Sequence, residues 1–201
     1  MTLPHHTGRW WDAKLLQETV REAIRTSPES FLRTVSDVDA RPLSYWLEEL
    51  RSSTWAVAQR NEDVIGIAAA KYPNPESDKE NPATTRYIES VWIDPDFRGN
   101  RFGELLIQYL LEEECRKNPH INQFLLWVFE TNLPAISLYE HIGFVRTPER
   151  NEGIRTEIKY RLDLGSVVNS AVRSVVDEVA CRQDKQSRRV NYRILGGMNS
   201  A

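Results

Sequence analysis

The sequence predicts one α/β domain of the α+β type, in which helices pack against a central sheet. Apolar residues recur at helical spacing in residues 11–24, which predicts a first helix. Two β-prone runs, residues 54–59 and 64–70, flank a polar turn and predict an antiparallel hairpin. A strand, a glycine-bearing loop and an amphipathic helix follow within residues 87–113. The chain has 201 residues, 40% of them hydrophobic, which suits one core because domains usually have about 100 to 200 residues.

Local signals justify the other elements in order. Ser27-Pro28 ends the first helix. In a later helix, Asn132 can act as the N-cap, Pro134 suits the first turn and Gly143 can end the helix. Three prolines among polar residues predict that residues 71–86 form an exposed loop. The predicted helices are residues 11–24, residues 43–50, one from residue 105 and one after residue 132. The predicted strands are residues 54–59, 64–70, 87–93, 124–129, 144–146 and 154–164.

Charge and cysteine usage exclude several classes of protein. The chain carries 26 basic and 29 acidic residues, a balance that does not favour nucleic-acid binding. Cys115 and Cys181 form no CxxC pair, and no cluster has metal-ligand spacing, so no metal is expected. The N-terminus lacks the continuous apolar stretch of a signal peptide or a membrane span. We therefore expect a soluble, cytoplasmic protein without a membrane partner.

The composition changes near the C-terminus. Residues 1–164 form the predicted domain, and residues 165–201 form an extension with six basic and three acidic side chains. Five valines share one face of a possible helix at about residues 166–182, and residues 184–201 are expected to be a mobile basic tail. The valine face could pack on its own domain or against a second subunit in a homodimer. The pattern does not separate these alternatives.

The loop from Arg98 to Gly103 has residues suited to binding an anion. It lies between a strand and a helix, where several backbone N–H groups can converge on an anion at the positive helix end. Gly99 and Gly103 would let the backbone approach a diphosphate, and Arg98 and Arg101 could add charge-assisted contacts. The loop has neither a Gly-Lys-Ser/Thr ending nor a GxGxxG pattern, so nucleotide hydrolysis and hydride transfer are not favoured.

Two motifs in this order resemble the GNAT superfamily of acyl-CoA-dependent N-acetyltransferases. Ile93-Asp94-Pro95 and then residues 98–103 are similar to the family's Val/Ile-x-Pro and Arg/Gln-x-x-Gly-x-Gly/Ala, with Arg101 in place of the middle glycine. Residues 132–144, NLPAISLYEHIGF, are similar to Asn-x-x-Ala-x-x-Leu-Tyr-x-x-x-Gly-Phe. The resemblance spans about residues 11–164, and the family's first strand is not evident before residue 11.

The resemblance implies a GNAT-like mixed, splayed central sheet flanked by helices, with acetyl-CoA as co-substrate. It also implies that the acetyl group passes to a primary amine by direct attack within a ternary complex, without a covalent enzyme intermediate. The cofactor-binding residues are then expected on the central strand, the phosphate loop and the next two helices. They are Val91, Trp92, Ile93, Arg98, Gly99, Asn100, Arg101, Phe102, Gly103, Glu104 and Asn132.

Two residues are candidates for catalysis. Tyr139 matches the family tyrosine that protonates the departing thiolate, although an aromatic core residue has the same helical spacing. Glu89 lies on the central strand, where some family members carry a carboxylate that takes the amine proton. Simple alternation places Glu89, Val91 and Ile93 on one face, so Glu89 would face the cleft. A solvated strand carboxylate is the alternative for Glu89.

The acceptor side is less defined. The resemblance places acceptor contacts at Phe31, Trp46 and residues 71–86, while Phe31 and Trp46 also suit ordinary helix packing. Asn132 can contact CoA, cap its helix, or do both. The acceptor could be a small amine, an aminoglycoside, or the amine of a peptide or protein. The alternative function is a catalytically weak acetyl-CoA-binding regulatory module.

Overall fold

The computed structural model describes residues 7–165 and 190–196. The helices are α1 Thr7–Thr26, α2 Val35–Asp39, α3 Leu43–Ser52, α4 Phe102–Lys117 and α5 Leu133–Ile142, with 3-10 turns at Pro28–Ser30 and Pro95–Phe97. The strands are β1 Ser53–Arg60, β2 Asp63–Lys71, β3 Thr85–Ile93, β4 Gln123–Phe129, β5 Val145–Glu152, β6 Thr156–Asp163 and β7 Val190–Leu195. The predicted elements up to residue 164 are therefore present, and the short α2 is an addition.

A single mixed sheet joins all seven strands in the order β5-β6-β4-β3-β2-β1-β7. Every neighbouring pair is antiparallel except β3 and β4, which are parallel. Those two strands pair over only three residues each, Thr85–Tyr87 against Gln123–Leu125. Beyond this point they diverge, so the sheet is splayed at its centre, as predicted.

Helices cover the two faces of the sheet unequally. On one face, α4 packs over a core that includes Leu106, Leu110 and Phe124, and partly buried residues of α5 complete it. On the other face, α1 and α3 cover Trp55 and Ile67 of the β1 to β3 half. Helices α1 and α3 contact β1, β2, β3 and β7, whereas on β6 Lys159 pairs with Glu80 of the β2–β3 loop.

A β-bulge in β3 corrects the predicted alternation. Ser90 has φ +54, and the pairing with β2 shifts so that Ala69 lies opposite Glu89 whereas Ile67 lies opposite Trp92. The extra residue reverses the strand's faces. Glu89 therefore lies on the α1 face, while Val91 packs with the α4 core. The prediction that Glu89, Val91 and Ile93 share one face was wrong for this reason.

The C-terminal part contributes a strand to the sheet. The predicted mobile tail is wrong at Val190–Leu195, because these residues form β7 and pair antiparallel with β1. Asp12 of α1 fixes this strand, since its carboxylate accepts hydrogen bonds from Arg193 Nη1 at 3.0 Å and from the Gly196 N–H at 2.9 Å. The predicted helix at residues 166–182 lies outside the described residues. No helix in residues 7–165 is long and apolar enough to cross a membrane.

The Asp12 contacts lead to a stability prediction. Asp12→Ala should lower the free energy of unfolding by about 1 to 3 kcal/mol, because it leaves Arg193 Nη1 and the Gly196 N–H without their acceptor. Urea unfolding would measure the change.

Asp39→Ala is the matched control for this prediction. Asp39 accepts a hydrogen bond from Arg21 at 2.9 Å, but both side chains are about half exposed, so the loss should be below about 0.5 kcal/mol. Equal losses for the two variants would contradict the anchoring role of Asp12.

Candidate active site

The candidate site is the cleft that opens where β3 and β4 diverge. It has a volume of about 340 Å³. Its walls come from α1, the α1–α2 connection, the β3 segment around the bulge, the end of β4, α5 and the β5–β6 hairpin. Tyr139, Glu89, Val91 and Asn132, all predicted site residues, line this one cleft.

In the described part of the chain, the predicted phosphate loop at residues 98–103 presents unpaired backbone N–H groups next to the start of a helix. Gly99 has φ +77, a left-handed conformation that glycine adopts without strain, and its Cβ position is open space. The first α4 hydrogen bond runs from the Leu105 N–H to the Arg101 carbonyl. Within the described residues the backbone N–H groups of residues 99–104 donate to no protein acceptor. Six donors are thus available at the positive end of a 16-residue helix.

Arg101 keeps the conformation of the glycine that it replaces. It has φ +63 at the N-cap of α4, which is unusual for a residue with a side chain. Its guanidinium binds Glu104 with two hydrogen bonds, Nε to Oε2 at 2.8 Å and Nη2 to Oε1 at 2.7 Å. The hydrogen bonds from Arg101 lower the pKa of the buried Glu104 carboxyl. Arg101 therefore compensates the charge of Glu104, which lies in the first turn of α4 beside the predicted phosphate loop.

Two other polar side chains of the loop, Arg98 and Asn100, fix its conformation by hydrogen bonds. Arg98 donates from Nε to the Ile93 carbonyl at 3.0 Å and from Nη2 to Ser27 Oγ at 2.6 Å. The Asn100 amide donates to the carbonyls of Phe97 and Arg98. The Arg98 guanidinium is thus held against the end of α1, and its predicted contact with a phosphate stays a prediction.

The next section of the site is an exposed strand edge. The β3 backbone past Tyr87 has no ladder partner on its β4 side, and Val91 lines the cleft there. The Trp92 side chain points away from the α4 face and is buried on the α1 face of the sheet. There its Nε1 donates to Thr26 Oγ1 at 3.1 Å. Gly103 lets the start of α4 pack closely against α5, since a Cβ there would lie 3.2 Å from Leu138 Cδ2. The backbone at residues 91 and 92, not the Trp92 ring, lies open on this side, whereas the Ile93 carbonyl already accepts from Arg98.

Tyr139 is a buried phenol in the cleft wall. Its ring packs edge-on against Phe144, and its hydroxyl makes no hydrogen bond with any described residue. Burial raises the pKa of Tyr139 well above its ordinary value of 10.0. The group is therefore protonated at neutral pH and can act as an acid.

Glu89 lies on the opposite side of the bulge. Its side chain is 48% exposed, and Oε2 is 3.5 Å from Lys71 Nζ. Lys71 is closer to Glu49, at 3.0 Å, so Glu89 shares its cation with a second carboxylate. A half-exposed carboxylate in the cleft can accept a proton directly or through water.

Asn132 performs the structural part of its predicted role. Its Oδ1 accepts from the Ala135 N–H at 3.3 Å and so caps α5. Its Nδ2 donates to Ser30 Oγ at 3.3 Å, which ties α5 to the α1–α2 connection. Phe31 both lines the cleft and packs against the α1 core, whereas Trp46 is fully buried in that core and is not part of the cleft lining.

Several residues at the cleft were not found by sequence reasoning. Trp127 and Tyr87 lie in its wall, with the buried Lys159 Nζ 5.5 Å and 5.4 Å from their ring centroids. Lys159 pairs with Glu80 of the β2–β3 loop, which also accepts from the Tyr87 hydroxyl at 3.1 Å. Burial raises the pKa of Tyr87 to about 12. The alternation of β6 was the only signal for Lys159, and nothing indicated its partner across 79 residues.

The β5–β6 hairpin adds two more residues. Glu157 lines the cleft and accepts from Asn151 Nδ2 at 3.1 Å. Arg155 binds the carbonyls of Glu29 and Phe31 across the cleft. In residues 7–165 and 190–196, no group of three or more His, Cys, Asp or Glu side chains could hold a metal ion.

Comparison with known proteins gives consistent results. The model of the Acetyltransferase (GNAT) family matches residues 16–144. The mycothiol acetyltransferase of Thermobispora bispora is 27% identical over 124 residues, which are 62% of this chain and 40% of that protein. The chain thus spans less than half the length of this curated relative.

Solved structures share the fold. YncA from Salmonella typhimurium, solved with its cofactor acetyl-CoA, has a TM-score of 0.60 and 21% identity over 78% of this chain and 91% of its own. The ribosomal-protein-alanine N-acetyltransferase of Brucella melitensis has a TM-score of 0.62 and 20% identity over 77% of this chain and 96% of its own. Since the family model covers more than half of the sequence and includes both predicted motifs, the chain belongs to the acetyltransferase (GNAT) family.

Proposed function

We propose that this protein is an acetyl-CoA-dependent N-acetyltransferase that acts on a primary amine. The observation that carries the proposal is the combination of elements around the bulge of β3. An anion loop with six available amides precedes α4, and a buried phenol and a carboxylate line the cleft beside the same strand. Family membership and the acetyl-CoA that accompanies YncA support this ligand.

The loop is suited to the diphosphate of acetyl-CoA. Amides at the start of a long helix complement a multiply charged anion, and Arg101 removes the repulsion that Glu104 would otherwise exert. From there the pantetheine arm would follow the free edge of β3 at residues 91 and 92 and add to it as a strand does. This path brings the thioester to the bulge, beside Tyr139.

The chemical step needs no covalent intermediate on the protein. The amine nitrogen attacks the thioester carbonyl carbon, and the carbon–sulfur bond then breaks. The departing thiolate takes a proton from the Tyr139 hydroxyl, whose raised pKa keeps that proton in place until the thiolate forms. Glu89 receives the proton of the amine, directly or through water.

The acceptor side favours a cationic amine. Glu89 and Glu157 supply carboxylates, and Phe31 and Trp127 supply aromatic surface. The alternative of a regulatory module is not favoured, because it gives no reason for a buried phenol without a hydrogen-bond partner in the described residues and a half-exposed carboxylate to line one cleft. The similar proteins are named as a mycothiol acetyltransferase and a ribosomal-protein-alanine N-acetyltransferase, and acetylation of an amine is the chemistry that we carry over to this chain.

Thiol release tests the proposed function. Acetyl-CoA and a panel of alkylamines, polyamines, aminoglycosides and peptides should give amine-dependent free CoA. Tyr139→Phe should lower kcat by about 100-fold without changing acetyl-CoA affinity, because only the proton donor is lost. Isothermal calorimetry would check the affinity.

Tyr109→Phe serves as the matched control for Tyr139. Tyr109 is also a tyrosine whose pKa is raised by burial, but its ring packs against Tyr192, outside the cleft lining. It should keep wild-type kcat. Acetyl-CoA binding without thiol release on any amine would contradict the enzyme assignment, and absent binding would contradict the site itself.

The raised pKa of Tyr139 predicts the pH profile. The acid must be protonated to act, and a pKa above 10.0 keeps it so throughout the range from about pH 7 to 10. The wild-type kcat at saturating substrates should therefore not fall on the alkaline side of this range. A falling limb below about pH 10 that disappears in Tyr139→Phe would show that the phenol ionises too early for this role.

The Arg101–Glu104 pair leads to a binding prediction. Arg101→Ala keeps the left-handed position on a non-glycine residue but removes the guanidinium that pairs with the Glu104 carboxylate in the first turn of α4. Acetyl-CoA affinity should fall by about tenfold, equivalent to about 1.4 kcal/mol. The control is Arg116→Ala, which removes the equally short Arg116–Glu113 pair at the other end of α4. An equal change in both variants would contradict the local role of Arg101.

A further inference from the structure

One side chain joins two walls of the cleft that are distant in sequence. Arg155 lies at the turn between β5 and β6, and its guanidinium donates to the carbonyls of Glu29 and Phe31 in the α1–α2 connection. The guanidinium carbon also lies 3.9 Å from the centroid of the Phe129 ring. No carboxylate in the described residues pairs with Arg155, so its interactions are directed at the backbone of the opposite wall.

Other side-chain hydrogen bonds hold the chain just before the segment that Arg155 binds and within that segment. On the α1 side, Thr26 accepts from Trp92 and Ser27 accepts from Arg98. On the α5 side, Ser30 accepts from Asn132. This connection is therefore not a loose loop, and Arg155 is the contact that ties it to the hairpin.

These contacts close a ring around the acceptor side of the cleft. The ring runs from α1 through the α1–α2 connection to Arg155, down β6, across β4 to β3, and back to α1. It lies on the face of the sheet that holds Glu89, opposite the face covered by α4. The phosphate loop begins α4, so the two substrates would reach the bulge from opposite faces.

We propose that Arg155 determines acceptor specificity by closing this ring, so that the acceptor is a primary amine on a slender, unbranched alkyl chain. This inference rests on the proposed acetyltransferase function. Glu157 and Glu89 line the inside of the ring and favour the ammonium of the entering chain. A branched or cyclic amine of the same charge must displace the Arg155 contacts before its nitrogen can reach the thioester.

Two six-carbon primary amines of different shape test the ring. n-Hexylamine and cyclohexylamine both carry one ammonium and six carbons, and they differ in width at the nitrogen. The wild-type protein should prefer n-hexylamine in kcat/KM by about tenfold or more. Arg155→Ala should reduce this preference to near unity, mainly by raising kcat/KM for cyclohexylamine.

The control and a structural readout make the result interpretable. Arg161→Ala removes another arginine of β6, which is half exposed and pairs with Asp163, so it should keep the wild-type preference. Amide hydrogen exchange should become faster at residues 28–34 in Arg155→Ala and stay unchanged in Arg161→Ala.

Each outcome has a defined meaning. Unchanged exchange at residues 28–34 in Arg155→Ala would overturn the ring, and faster exchange with an unchanged amine preference would overturn its role in specificity. If no amine releases thiol in the wild type, the proposed function fails, whereas the exchange result still decides whether Arg155 holds the two walls together.

Discussion

The site depends on the point at which β3 and β4 stop pairing. Three residues of each strand form the parallel ladder, and the Ser90 bulge then turns β3 away from β4. One structural event thus produces an open gap and an unpaired strand edge, and it moves Glu89 to the face opposite Val91. If β3 continued as a regular strand paired with β4, its backbone edge would be occupied and could not bind the pantetheine arm of a ligand.

The surrounding polar contacts hold this opening in shape. Three side chains donate hydrogen bonds to the end of α1 and the connection that follows it. Trp92 donates to Thr26, Arg98 to Ser27 and Asn132 to Ser30. These residues come from β3, the phosphate loop and α5. Their shared target explains how a connection without a regular helix can form a defined wall of the cleft.

Local patterns in the sequence were enough to predict the helices, the strands and the loop that joins β3 to α4. Helical spacing, turn residues and the strand–loop–helix unit all act over a few residues, and the structure places them as predicted. The Tyr139 motif also located the buried phenol. Alternation failed at Glu89 because a bulge needs only one residue in a left-handed conformation, and Ser90 carries no signal for it.

Long-range contacts account for the other differences. Residues 190–195 look like a polar tail on their own, and they become a strand because β1 offers an unpaired edge and Asp12 binds Arg193. Arg155 is similar, since its partners are 124 and 126 residues away. A sequence pattern that covers a single segment does not contain such pairings, and the arrangement of the whole sheet decides them.

The central claim is that the edge of β3 and the loop before α4 form one continuous acetyl-CoA site. Amide chemical shifts of the wild-type protein, followed by two-dimensional NMR during titration with acetyl-CoA, test it most directly. The account predicts saturable changes at residues 99–104 and at residues 90–93, with little change along β7 at residues 190–195. Saturable changes that leave residues 99–104 or residues 90–93 unaffected would contradict it.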